Sequence, residues 1–315
     1  MTQTPDPQHY PDDEIDLREL FATLWAGKWL IILVTIIFAA GGVAYALYKP
    51  DIFQSSVLLA PTDGGGASGL SGQLGGLASL AGVNIGQDSS SNTAIAKEVL
   101  QSRAFLASFI NRHELAVPLL GTAGWNLRES RWTYDREVYN PDTEEWGLDD
   151  ERQSLKPTDW DLVKTFKGNH LSVSEYSDNG MITVSVKSQS PIAAKNWAEW
   201  LVRDINEHMR DQDIVEAEAS IDYLEGKLNE TNIAGMQQVF YQLIESETGT
   251  VMLANAQREY VFKTVDPAVI PQEKSGPKRA LICIVATMLG GMLGVFIVFI
   301  RAFIKSGKES EIIES

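Results

Sequence analysis

Two uncharged apolar blocks stand out from an otherwise mixed chain: Leu30 to Tyr48, LIILVTIIFAAGGVAYALY, and Ala280 to Ile300. Each is about 20 residues, and at a helical rise of about 1.5 Å such a run spans the roughly 30 Å hydrocarbon core of a bilayer. Trp25 and Trp29 precede the first block and Tyr45 and Tyr48 close it, as interfacial aromatics do. In the second block Ala286, Gly290 and Gly294 recur every four residues, so small side chains line one stripe of the predicted helix. In lipid, close packing drives helix association, and such a stripe predicts a helix contact face; the plainer reading is that glycine is common in membrane helices. The approach to this block is stiff, because Pro267, Pro271 and Pro277 forbid a regular helix and favour an extended entry ending at Lys278 and Arg279.

The segment between the blocks alternates strand and helix patterns. Ile52 to Pro61, IFQSSVLLAP, is β-branched and apolar and reads as a strand. A Gly/Ser-rich stretch follows, with Leu70, Leu74, Leu77 and Leu80 forming a small apolar stripe; no Gly-Lys-Ser/Thr follows its glycines, so it is no phosphate loop. From Asn92 the pattern turns helical. Residues 125–160 are aromatic and charged without a period. There Trp125, Trp132 and Trp146 either stack on sugar rings or pack an irregular excursion onto the domain. HLSVSEYSDNGMITVSVKS is a hairpin with its turn at Asp178-Asn179-Gly180. A long helix is predicted from Pro191 to about residue 228, with a returning helix over 233–257 interrupted near Gly249. A strand over 258–265 then leads to the prolines.

The predicted organisation is a tail with a short amphipathic helix over 1–29, a transmembrane helix over 30–48 and a large domain over 49–279. A second transmembrane helix over 280–300 and a tail over 301–315 complete it. The expected fold class is α+β: a mixed sheet base with a long extended helix and a returning helix, set between two transmembrane helices. A cleaved signal peptide is the rival reading of the first block, since Ala44 and Ala46 offer a small-x-small site. Against it, the segment ahead of the block is long and acidic rather than short and basic. Positive charge flanks both sides of both blocks and leaves the orientation open.

The formal net charge is −16, most of it on the central domain, which makes that domain a poor partner for nucleic acid. Cys283 is the sole cysteine and lies in the second block, so the central domain has no disulfide. His9, His113, His170 and His208 show no metal-ligand spacing, and no nucleophile elbow or zinc-binding His-Glu-x-x-His is present. Glu144 with Glu145, or Asp149 with Asp150, could be imagined as a glycosidase pair, but adjacent acids ordinarily make a solvated charge run. No cofactor, no metal and no enzymatic activity are expected.

The run DDEIDLRELFATLWAGKW at 12–29, the stretches ANAQREYVFKTVDP and DPAVIPQEKSGPKRALI, and the glycine-bearing span after them carry a resemblance. Together with the order of elements, they resemble the polysaccharide co-polymerases, the Wzz-type chain length determinants of Gram-negative bacteria. The resemblance covers essentially the full length. It implies a homo-oligomeric ring in the inner membrane with both termini cytoplasmic and the large domain periplasmic. It also implies action with an O-antigen polymerase on undecaprenyl-linked polysaccharide, setting the modal length of lipopolysaccharide O-antigen. The short stretch after Arg301 leaves no expectation of the kinase domain carried by one co-polymerase subclass. A co-polymerase for capsule or exopolysaccharide working with a separate tyrosine kinase is the alternative within the superfamily. A two-span periplasmic sensor or tethered hydrolase is the alternative from another class.

Overall fold

The computed structural model describes residues 24–62 and 88–313 apart from Ser177 and Asn179. The Leu70, Leu74, Leu77 and Leu80 stripe lies outside the described residues, as does the predicted amphipathic helix up to residue 23. In chain order the elements are α1 (Lys28–Tyr48), β1 (Phe53–Pro61), α2 (Asp88–Leu100), α3 (Arg103–Arg112), α4 (Ala116–Leu120), β2 (Thr122–Asn126), β3 (Arg131–Tyr134), β4 (Tyr139–Asn140), β5 (Glu145–Trp146), α5 (Asp159–Thr165), β6 (Leu171–Glu175), β7 (Ile182–Ser188), α6 (Pro191–Glu230), α7 (Ala234–Ala256), β8 (Phe262–Asp266) and α8 (Arg279–Ile313). They divide into two compact units, one holding Asp51–Ser275 and the other the two chain ends.

The larger unit is built on a four-stranded sheet ordered β6-β7-β1-β8. Along β1 the buried Phe53, Ser55, Val57 and Leu59 alternate with half-buried neighbours, the period of a strand with one covered face. β6 and β7 form the hairpin read from the sequence, and Gly180, at φ +65°, supplies the left-handed residue its turn requires. The α+β architecture is as expected. Its sheet, expected to be of mixed direction, is antiparallel in all three pairings. The chain leaves along β1 and returns along β8, and a hairpin supplies the other two strands.

One face of the sheet is covered by α6. Ser190 starts this helix by accepting the Ala193 N–H at 3.2 Å, with Pro191 in the first turn. Trp197, Leu201, Ile205 and Met209 join the core with Leu106 and Phe109 of α3 and Leu162 of α5. Beyond Met209 only Ala217 of α6 is buried, so the second half of this 40-residue helix lies outside the core. At about 1.5 Å per residue α6 is roughly 60 Å long. α7 packs along it and buries only Ala254 of its own residues.

The expected interruption of α7 at Gly249 does not occur. A single glycine costs a helix only about 1 kcal/mol, and packing on α6 overrides it. The Thr248 and Thr250 hydroxyls donate to the Ile244 and Ser246 carbonyls at 2.7 and 3.4 Å within the same helix. β8 starts at Phe262 rather than Arg258, and Asn206 holds the backbone at that start. Its Oδ1 accepts the Val261 and Phe262 N–H groups at 2.8 and 2.9 Å, and its Nδ2 donates to the Phe262 and Val202 carbonyls at 3.0 and 3.1 Å.

The smaller unit pairs α1 with α8, helices of mean hydropathy 2.5 and, over Arg279–Ala302, 2.6. Both are long and apolar enough to cross a membrane. Their outer faces expose Ile36, Met288, Met292 and Phe296 at 61%, 67%, 63% and 62%. An apolar surface of that extent suits lipid rather than water. α8 continues past Ile300 to Ile313, since nothing in the sequence breaks the helix where the uncharged run ends.

Candidate functional site

Three features carry the sequence-predicted residues: the helix pair, the proline segment and the aromatic excursion. In the helix pair, the small-residue stripe of α8 lies against α1 of the same chain. A methyl group on Gly290 would come within 2.6 Å of Phe38 Cβ and 3.1 Å of Thr35 Cα. One on Gly294 would meet Ile31 Cα at 3.0 Å, and one on Gly42 would meet Ala286 Cβ at 2.5 Å. Glycine there lets the two backbones approach as larger residues would not. Gly41, by contrast, has nothing within 4 Å of such a group. At one end of the pair, Arg279 Nε donates to the Ala46 carbonyl at 3.0 Å, satisfying an orphan acceptor at the C-terminus of α1.

The proline segment runs beside the start of β1. Ser55 Oγ donates to the Val269 carbonyl at 2.7 Å, the Ser275 N–H donates to the Ile52 carbonyl at 2.8 Å, and Lys274 pairs with Asp51 at 3.3 Å. Ala268 is buried while Val269 and Ile270 are 67% and 52% exposed. Pro267 and Pro271 thus belong to a strap held along β1, and Pro277 lies two residues before the start of α8.

The aromatic excursion is more ordered than its sequence suggests. β2 and β3 pair with Trp125 opposite Trp132, and β4 and β5 pair with Tyr139 opposite Trp146. The rings meet edge to face at centroid distances of 5.0 and 5.3 Å. The two hairpins are copies of one pattern. Trp125, Asn126, Trp132 and Asp135 are matched fourteen residues on by Tyr139, Asn140, Trp146 and Asp149. Asn126 Oδ1 accepts the Arg128 N–H at 3.0 Å, as Asn140 Oδ1 accepts that of Asp142 at 3.0 Å. Ser130 and Glu144, again fourteen apart, are both left-handed at φ 48° and 56°. Tyr134 and Tyr139, at 5.9 Å between centroids, link the two aromatic pairs. Gly147 admits the close crossing of the chain, since a methyl group there would strike the Glu137 carbonyl oxygen.

No convergent catalytic constellation appears at the candidate acids. Glu144 and Glu145 lie exposed in the second hairpin, and Asp149 Oδ1 is engaged by the Glu151 and Gln153 N–H groups at 2.9 and 2.7 Å. Among the described residues no group of three or more His, Cys, Asp or Glu side chains is placed to hold a metal ion. The most enclosed charged cluster surrounds Asp204, 3% exposed, which meets His113 Nε2 at 2.8 Å while His113 stacks on Trp200 at 4.5 Å. Arg112, at 3.6 Å, and Arg203, at 3.3 Å, also face that carboxylate, so it is a neutralised structural group.

Residues 13–113 match the family model described as Wzz, chain length determinant protein. Residues 230–303 match a second, described as "G-rich domain on putative tyrosine kinase", and the two matches together span more than half of the chain. Residues 13–113, about a third of the chain, thus carry a chain length determinant domain of the Wzz family. The chain's two apolar helices are accordingly the candidate spans of a membrane protein.

Among solved structures, a "full-length bacterial polysaccharide co-polymerase" is 15% identical. It covers 92% of this chain and 99% of its own, with a TM-score of 0.39. A fragment of WzzB, a polysaccharide co-polymerase from Salmonella Typhimurium, is 12% identical, covers 72% of this chain and 100% of its own, and has a TM-score of 0.34. No curated protein matches. No residue of this chain takes its role from these distant likenesses.

Proposed function

We propose that this Wzz-type protein sets the modal length of lipopolysaccharide O-antigen as a non-enzymatic organiser in the bacterial inner membrane. Both termini are cytoplasmic and the Asp51–Ser275 unit is periplasmic in this reading. Copies assemble into a homo-oligomeric ring that recruits the O-antigen polymerase and its undecaprenyl-linked polysaccharide, and the geometry of the assembly biases how long extension continues. The observation that carries the reading is the chain length determinant match over residues 13–113. The 40-residue α6, with most of its second half outside the core, supports it by supplying a wall to pack beside identical copies.

The G-rich match over residues 230–303 favours a second reading, a co-polymerase for capsule or exopolysaccharide working with a separate tyrosine kinase. Deleting the chain and resolving both polymer classes by size tests the two together. A lost modal band in lipopolysaccharide supports the first, and a change confined to capsule or exopolysaccharide supports the second. Unchanged length distributions of every polymer refute both.

A further inference from the structure

Of the rings in the two aromatic hairpins, Trp132 packs against the edge of the core. All five rings, Trp125, Trp132, Tyr134, Tyr139 and Trp146, keep part of their surface accessible. The excursion that presents them, residues 122–155, carries nine carboxylates against four arginines. A duplicated hairpin repeats one aromatic pair at a fixed offset along a surface, the arrangement that suits a ligand which itself repeats.

We propose that this double hairpin is a glycan-binding platform for neutral or N-acetylated sugar units. The inference rests on the reading of the chain as a polysaccharide co-polymerase and gives that reading a direct contact with the polymer. The C–H face of a pyranose ring is weakly positive and packs on the negative face of an indole or phenol ring. Hydroxyl and acetamido N–H donors of the same sugar find acceptors in the surrounding carboxylates, and the side-chain N–H groups of Asn126 and Asn140, whose Oδ1 atoms are held by backbone N–H groups, are left to donate to sugar oxygens. The net negative charge sets the selectivity. Uronic or sialic acid units would bring like charges together, which costs binding, whereas uncharged units meet no repulsion. The fourteen-residue repeat offers an edge-to-face aromatic pair twice, so an oligomer engages both and a monosaccharide only one.

The test titrates the full chain, held in lipid nanodiscs, with three probes: an N-acetylglucosamine hexamer, a neutral glucose hexamer and a galacturonate hexamer. Calorimetry and tryptophan fluorescence read the binding. The expected result is saturable binding of at least one uncharged hexamer, about tenfold weaker for galacturonate. Trp146→Ala should weaken binding about fivefold or more. Trp146→Phe, which keeps a ring opposite Tyr139 and so guards against simple unfolding, should melt as the parent does and bind between the two. No saturable binding of either uncharged hexamer at about 10 mM would overturn the proposal, as would equal affinity for galacturonate or unchanged binding in both variants. If deletion of the chain alters polymer length while the purified protein ignores all three probes, the platform is refuted and the regulator stands.

Discussion

Asn206 joins the middle of α6 to the strand that leads toward the second apolar helix, and its removal has a calculable cost. The side chain is 3% exposed and makes four hydrogen bonds, three of them to backbone groups 55 or 56 residues away and one to the Val202 carbonyl of its own helix. In Asn206→Ala the Val261 and Phe262 N–H groups lose their acceptor and the Phe262 carbonyl loses a donor, all beside the fully buried Phe262 side chain. A buried polar group left without a partner costs about 1–3 kcal/mol, and relaxation recovers part of it, so a net loss of about 3 kcal/mol is expected. Hydrogen–deuterium exchange on the detergent-held full chain reads this locally. About 3 kcal/mol corresponds to roughly a hundredfold faster exchange at Val261 and Phe262. Amides of α3 should change far less if the loss is confined to the β8 junction. Exchange at Val261 and Phe262 within about twofold of the parent would refute the reasoning, because water would then be satisfying those groups at little cost.

Three further outcomes follow from the same geometry. Gly290→Leu drives a side chain into Phe38 and the Thr35 backbone, and should weaken the pairing of α1 with α8 by about 1–3 kcal/mol, read as a lowered melting temperature. Gly41→Leu, whose Cβ would have nothing within 4 Å, serves as the control and should leave that temperature unchanged. Burial holds the His170 imidazole below its ordinary 6.5, while its Nδ1–H donates to the Lys187 carbonyl at 2.7 Å. The unfolded chain therefore takes up that proton first as the pH drops. Stability is complete above about pH 6.5 and falls below it toward the folded value, and a melting series over that window should show a shallower fall in His170→Gln. Gly147→Ala collides with the Glu137 carbonyl oxygen and should loosen the second hairpin, seen as faster exchange at Tyr139 and Leu155 with the core sheet unaffected.

What could be read in the chain was what repeats locally. The two apolar blocks, the β6–β7 hairpin and the long α6 each declare themselves within their own residues, through absence of charge, alternation or an unbroken helical pattern. The small residues Gly290 and Gly294 were visible too. Their counterparts Phe38, Thr35 and Ile31 were not, because a stripe on one helix carries no information about which helix will face it. The Asn206 junction spans 55 residues, beyond any local period, so an asparagine in a helix read simply as a polar position. The antiparallel direction of β8 likewise depends on where the chain returns. The aromatic excursion is different. It shows neither a period of 2 nor of 3.6, yet a comparison of residues 125–135 with 139–149 exposes the duplication directly. The signal was present in the sequence at a spacing that belongs to neither a strand nor a helix.

The proposed length control rests on many copies acting together. A single chain has a mass of 34.7 kDa, so particle mass measured in native-lipid nanodiscs, without detergent exposure, reads the assembly directly. The account predicts one dominant species at a fixed multiple of that mass, closed into a ring when imaged. A population consisting of single chains at every protein density would contradict it.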